Sequence, residues 1–186
     1  MTPRCTQAPT GRAAQAAARH RAPLPRLETE RCVLRAPELT DLPLWTQVFT
    51  GPDSTHIGGP YTPEKAWEEF SYYTACWLLH GHGLWSVTRK TDDALLGFVH
   101  LGLEWDDLEP ELGWLFGPDH RGQGYATEAA AAARDHALAL LGAGRFVSYI
   151  DQDNAPSLAV AQRLGAHPEP DLIEGDTVVY RHGGTA

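Results

Sequence analysis

The sequence predicts a mixed α/β layered domain, and three observations carry that prediction. Apolar runs of strand length occur before, between and after helical patterns. One such run, Leu112 to Phe116, passes through a glycine-containing loop directly into an Ala-rich helical run, roughly Thr127 to Leu141. The length, 186 residues, suits one core rather than two.

The elements follow in order. Leu27 to Arg35 reads as a first strand, and Thr40-Asp41 as the cap of a helix through about Phe49. Residues 50–61, rich in Gly, Pro, Ser and His, read as a loop. Thr62-Pro63-Glu64 opens a second helix, with a capping hydroxyl, a proline in the first turn and a carboxylate near the positive end; Gly81 and Gly83 stop it after His80. Gly83–Val87 and Leu96–Val99 are strands joined through Thr91-Asp92-Asp93, and Glu104 to Pro110 turns into a fourth strand. After the Ala-rich helix come a strand (Arg145 to Ile150), a helix (about Ala155 to Leu164) and two short strands, near Asp171 and over Thr177–Arg181.

Charge is unevenly placed. Residues 1–26 carry five arginines and no Asp or Glu, which leaves ten basic and twenty-four acidic residues on the rest, a net of −14. A body this negative disfavours nucleic acid and favours cationic partners such as amines. The Ala/Pro/Arg-rich segment 1–26 has no sustained apolar periodicity and is expected to be a disordered tail, with 27–186 as the folded domain. It lacks the apolar stretch of a secretory signal, and no run reaches the length of a membrane span. Three scattered cysteines make neither a disulfide framework nor a zinc spacing, so no metal and a cytoplasmic setting are expected.

The most informative string is Arg121-Gly122-Gln123-Gly124-Tyr125-Ala126. Two glycines between strand and helix let successive N–H groups converge where the helix N-terminus adds partial positive charge, a ready site for a phosphate or pyrophosphate. A dinucleotide fingerprint would need Gly or Ala where Thr127 stands. A P-loop would need Gly-Lys-Ser/Thr, and the only lysines, Lys65 and Lys90, lie elsewhere.

What remains, Arg/Gln-x-x-Gly-x-Gly/Ala filled by Arg121, Gly124 and Ala126, resembles the acyl-CoA pyrophosphate loop of the GNAT superfamily of N-acyltransferases. Leu27–Arg35, the two following strands, Glu111-Leu112-Gly113-Trp114 and Asn154-Ala155-Pro156-Ser157 are similar, in the same order, to motifs of its RimJ/RimL-like branch. The likeness spans about residues 27 to 182. It implies the GNAT fold: a mixed, mostly antiparallel, splayed sheet of about seven strands with about four helices on both faces. It implies acetyl-CoA as co-substrate and, as acceptor, a primary amine on a small molecule or a protein N-terminus, in a monomer or homodimer.

Acyl transfer to an amine needs a base, an oxyanion donor and help for the departing thiolate. The resemblance makes Glu111 the base, acting through water; His100, on the preceding strand, is the substitute this sequence offers. It places the thioester and pantetheine arm on backbone N–H groups of Trp114, Leu115 and Phe116, and a pantetheine contact on Asn154. The tyrosine many relatives use as acid, seven positions after the Asn, is Ala161 here; the resemblance to the branch implies instead that Ser157, three positions after the Asn, relays a hydrogen bond to the thiolate. A second departure is Ala166, where a Phe is common. A protein that only senses acyl-CoA would need the loop but neither Glu111 nor Ser157. Residues 50–62 and 170–177 are expected to choose the acceptor.

Overall fold

A computed structural model describes residues 3–169 and 175–183. Eight strands form one sheet: β1 (Leu27–Glu28), β2 (Cys32–Arg35), β3 (Leu84–Arg89), β4 (Leu95–Gly102), β5 (Glu111–Phe116), β6 (Val147–Asp151), β7 (His167–Pro168) and β8 (Thr177–Arg181). The spatial order is β1-β2-β3-β4-β5-β6-β8-β7. Five α-helices accompany it: α1 (Gly11–Arg21), α2 (Leu42–Thr50), α3 (Pro63–Leu79), α4 (Tyr125–Leu141) and α5 (Ala155–Arg163).

Two expectations need correcting, and a third falls outside the described residues. Residues 27–35 are not one strand but two, paired antiparallel through Leu27↔Leu34 and Glu28↔Val33. The hinge is Thr29, whose hydroxyl takes the Cys32 N–H at 2.8 Å and so closes a local turn. The segment 1–26, expected to be disordered, carries α1. Its alanines make a helix that buries none of its residues. Beyond it Leu24 packs on the core, and Pro25 O accepts the Trp85 indole N–H at 2.9 Å. The strand expected near Asp171 falls on residues outside those described, and β7 lies earlier, at His167–Pro168.

Two layers bury the sheet. On one side, Trp45 of α2 lies wholly buried, with its Nε1 donating to Ala66 O at 2.8 Å and Phe49, Phe70, Tyr73 and Phe98 around it at 4.5–6.0 Å. On the other, α4 presents Ala129, Ala130, Ala133 and Ala137, all fully buried, so the helix can lie close against the strands. Of Thr40-Asp41, expected to cap α2, Asp41 does stand at its N-cap, but its buried side chain makes no bond to the helix. It takes both guanidinium nitrogens of Arg35 at 2.8 Å, Ser86 Oγ at 2.7 Å and the Glu38 N–H at 2.8 Å. Thr62 does cap α3, accepting from the Lys65 N–H at 3.1 Å.

The feature that positions the site is a failed pairing. β4 and β5 run antiparallel over six residue pairs, and β6 and β8 over five. β5 and β6, the sheet's parallel neighbours, meet only at Glu111↔Val147. Beyond that point they diverge, and a cleft opens between them.

Candidate active site

The cleft has a volume of about 1060 Å³, at the large end of small-molecule sites. Trp114, Leu115 and Phe116 of β5 form one wall, and the loop and first turn of α4 (Arg121, Gly122, Gly124, Tyr125, Ala126) the second. Asn154 and Ser157 at the head of α5 form the third. A chamber of about 60 Å³ adjoins it, lined by His100, Glu111, Gly113, Tyr149, Asn154 and Ser157 among others. All the sequence-predicted site residues except Gln123 therefore line one cavity or the other.

The loop has the backbone expected of an anion cradle. Gly122 and Gly124 have φ of 72° and 81°, a region that side chains with a Cβ rarely adopt. The first backbone bond inside α4 is Glu128 N–H to Gly124 O at 3.1 Å, so the N–H groups ahead of it have no helical partner. A Cβ on Gly122 would meet nothing within 4 Å. One on Gly124 would lie 3.3 Å from Arg31 Nη2, so its nearest neighbour is a buttress of the loop rather than open cleft. Arg31 donates to Glu128 and to Gln123 O and lies over the Tyr125 ring at 4.4 Å. Gln123 stands outside the cavity, and its amide holds Asp119 O at 2.9 Å.

Glu111 begins β5 and shares a face with Gly113 and Leu115, as strand alternation requires. Leu115 packs in the Trp45 cluster, and a Cβ on Gly113 would come within 2.0 Å of His100 Nε2. The residue is partly exposed at the chamber, while its carboxyl is pushed up to about 8. Burial is the main cause, then the charges of Asp107 and Glu104, with the Tyr149 N–H pulling the other way. Three other acids of the hairpin are engaged elsewhere: Glu109 grips Arg181 with two bonds of 2.7 Å, Glu104 accepts from the Tyr73 hydroxyl, and Asp107 takes the Glu104 N–H at 2.6 Å. His100 lies buried against Tyr73, ring centroids 4.3 Å apart, and burial pushes its imidazole down to about 3. A ring so hard to protonate is a poor proton acceptor, which favours Glu111 over it.

Asn154 caps α5, its Oδ1 accepting the Ser157 N–H at 3.3 Å. Ser157 Oγ has no hydrogen-bond partner among the described residues, so it is not tied to backbone as a first-turn serine often is. Ala161 is wholly buried against Ile150, Ala166 and Tyr180. Small residues at 161 and 166 fit a tight junction of α5 with β6 and β8. Sequence reasoning assigned residues 50–62 to acceptor choice but did not single out Asp53 and His56, which line the cleft. Among the described residues no cluster of three or more His, Cys, Asp or Glu could hold a metal, and no helix is long and apolar enough to cross a membrane.

A sheet parted between two parallel strands, with a glycine loop and a helix N-terminus at the mouth and a buried carboxylate at the root, defines an acyl-CoA-dependent N-acyltransferase. The chain belongs to the GNAT acetyltransferase family, whose domain model, "Acetyltransferase (GNAT) domain", matches residues 31–167. It is similar to the structure of an acetyltransferase from Agrobacterium tumefaciens, at 36% identity and a TM-score of 0.80, covering 85% of this chain and 94% of that one. It is 24% identical to the uncharacterized N-acetyltransferase YnaD of Bacillus subtilis over 77% of this chain and 83% of YnaD. RimL, a ribosomal L7/L12 α-N-protein acetyltransferase solved with coenzyme A, shares the fold at a TM-score of 0.67 and 16% identity, over 84% of this chain and 96% of RimL.

Proposed function

We propose that the protein transfers an acetyl group from acetyl-CoA to a primary amine by direct attack, with both substrates bound together. The observation that carries this reading is the cleft between β5 and β6, which joins an anion-binding loop at one end to Glu111 at the other. RimL, solved with coenzyme A, has the same fold.

In this reading the N–H groups of Gly122 to Ala126 hold the pyrophosphate with Arg121, and the Gln123 side chain acts only by holding the loop's shape. The pantetheine arm runs along β5, taking backbone N–H donors from Trp114 to Phe116, and meets the Asn154 amide. The thioester then reaches the chamber, where a backbone N–H of β5 steadies the oxyanion. Glu111 takes the amine proton, through water, once its carboxylate is populated. The amine nitrogen attacks the carbonyl carbon, the C–S bond breaks, and the thiolate leaves with a hydrogen bond from Ser157 Oγ. A protein N-terminus and a small-molecule amine remain the two acceptor classes, and the acidic body favours a cationic one. No nucleic acid or membrane takes part.

The test is free-thiol release from acetyl-CoA across a panel of amines, with and without Glu111→Gln. Thiol release that depends on an amine and falls in the variant supports the reading. Tight acetyl-CoA binding with no release for any amine would leave a sensor instead.

A further inference from the structure

One short segment crosses the cleft. The 3-10 turn Pro52–Ile57 lies between Gly51 and Gly58, and Gly58 has a φ of 79°. Its inner side is fixed. Ser54 is buried, its Oγ donating to Gly51 O at 2.6 Å and its carbonyl accepting the Gly59 N–H at 2.9 Å, while Ile57 packs on the Trp45 cluster. Its outer side chains reach opposite banks. Asp53 accepts from Arg121 Nη1 at 2.6 Å, and His56 Nδ1 lies 2.9 Å from Asp151 Oδ2 at the end of β6. Both residues line the cleft.

The Asp53 contact is at odds with its surroundings. Arg121 stands at the entry to a loop built to receive an anion, yet its guanidinium already serves Phe116 O through Nε at 3.0 Å and a carboxylate through Nη1. A carboxylate among the groups facing a diphosphate repels it, and one guanidinium cannot give its best bidentate geometry to both. Asp53 and the diphosphate therefore compete for Arg121.

We propose that Asp53 is a displaceable counter-ion: it holds Arg121 and ties the 52–57 strap across the cleft until the cofactor's diphosphate takes its place, and its release loosens the strap over the acceptor side. This rests on the reading of the loop as the diphosphate site. His56–Asp151 keeps the other end of the strap attached, so the cofactor loosens the Asp53 end without freeing the segment. Cofactor and acceptor are thereby coupled, with the cofactor entering first.

The experiment is calorimetric titration of acetyl-CoA into the parent, Asp53→Asn and, as a control for net charge, Asp119→Asn. Asp53 and Asp119 are both exposed, so neither change disturbs the core. Asp53→Asn is expected to bind about 2- to 10-fold tighter at low salt, the scale of losing one exposed competing ion pair, with the gap narrowing as salt is added. Asp119→Asn should stay close to the parent. Amide hydrogen exchange supplies the second readout: acetyl-CoA should speed exchange at Asp53–Thr55 in the parent, and Asp53→Asn should exchange fast there without cofactor. If the parent binds acetyl-CoA and Asp53→Asn binds no tighter, the proposal is overturned and the loop reading stands. If the parent binds no acetyl-CoA, the loop reading falls and the proposal with it.

Discussion

With its carboxyl held at about 8 by burial and by Asp107 and Glu104, Glu111 is largely protonated at pH 7 and gains its carboxylate as pH rises. Parent turnover should therefore climb through about pH 8. Glu111→Gln should lower it by roughly 10²–10⁴-fold near that pH, the usual scale for a positioned acid or base, with acetyl-CoA affinity little changed. The deficit should shrink where the amine is already neutral. Initial rates of thiol release against pH decide this, and a variant profile overlaying the parent's in height and shape would rule Glu111 out. Ser157→Ala should differ, its defect persisting at high pH and easing with donors whose thiol is more acidic. Gly113 offers a purely steric test beside these. Its Cβ position lies 2.0 Å from His100 Nε2 in a buried chamber, so Gly113→Ala should destabilise by about 1–3 kcal/mol, as overpacked cores do, visible in urea unfolding.

At the scale of elements, the loop and its helix form the proposed cofactor end. Gly124→Val puts a β-branched residue at φ 81° and pushes against Arg31, which holds Gln123 O and Glu128. It should weaken acetyl-CoA binding through a distorted loop, and calorimetry showing parent-like affinity in a folded variant would refute that. The N-terminal segment divides into two parts with different expectations. α1 buries nothing, so removing residues 1–20 should leave the melting temperature unchanged. Removing 1–26 also strips Leu24 from the core and the carbonyl that holds the buried Trp85 indole. An unsatisfied buried donor costs about 1–3 kcal/mol, so that truncation should melt measurably lower.

For the whole molecule, the carboxylates fall into two groups with opposite pH signatures. Glu109, held by Arg181, and Glu128, held by Thr29 and Arg31 against the cost of its burial, lie below the ordinary range. Their stabilisation is present above the unfolded value and is lost as pH falls through the folded one. Glu111 runs the other way. Unfolded it titrates near 4.5 and folded near 8, so between those values the native state binds a proton the unfolded chain has released. Stability falls as pH rises across that window. Melting temperatures of parent and Glu111→Gln should therefore agree more closely near pH 5 than near pH 8.5, where the variant should melt higher. Equal differences at both pH values would mean that the burial of Glu111 carries no such penalty.

The sequence by itself determined the family, the order of the elements from β2 to α5 and part of the cavity wall. Those signals are local: glycines at a strand–helix junction, a capping threonine, an asparagine at a helix start and the two-residue alternation of β5. Each depends on residues a few positions apart and is legible wherever it occurs. Tertiary structure decided the rest. The Thr29 turn that splits residues 27–35 was local too, but the polar stretch Glu28-Thr29-Glu30-Arg31 carries no Gly, Pro, Asn or Asp, the residues that usually mark a turn. That Gln123 braces the loop instead of facing the cleft depends on Arg31, 92 residues away, gripping its carbonyl. That Glu111, and not its acidic neighbours, faces the chamber depends on the fold, which turns Glu109 to Arg181 and Glu104 to Tyr73. Asp53 meets Arg121 across 68 positions. Such pairings are set by where distant segments come to rest around the parted strands, and no short stretch of sequence encodes that distance.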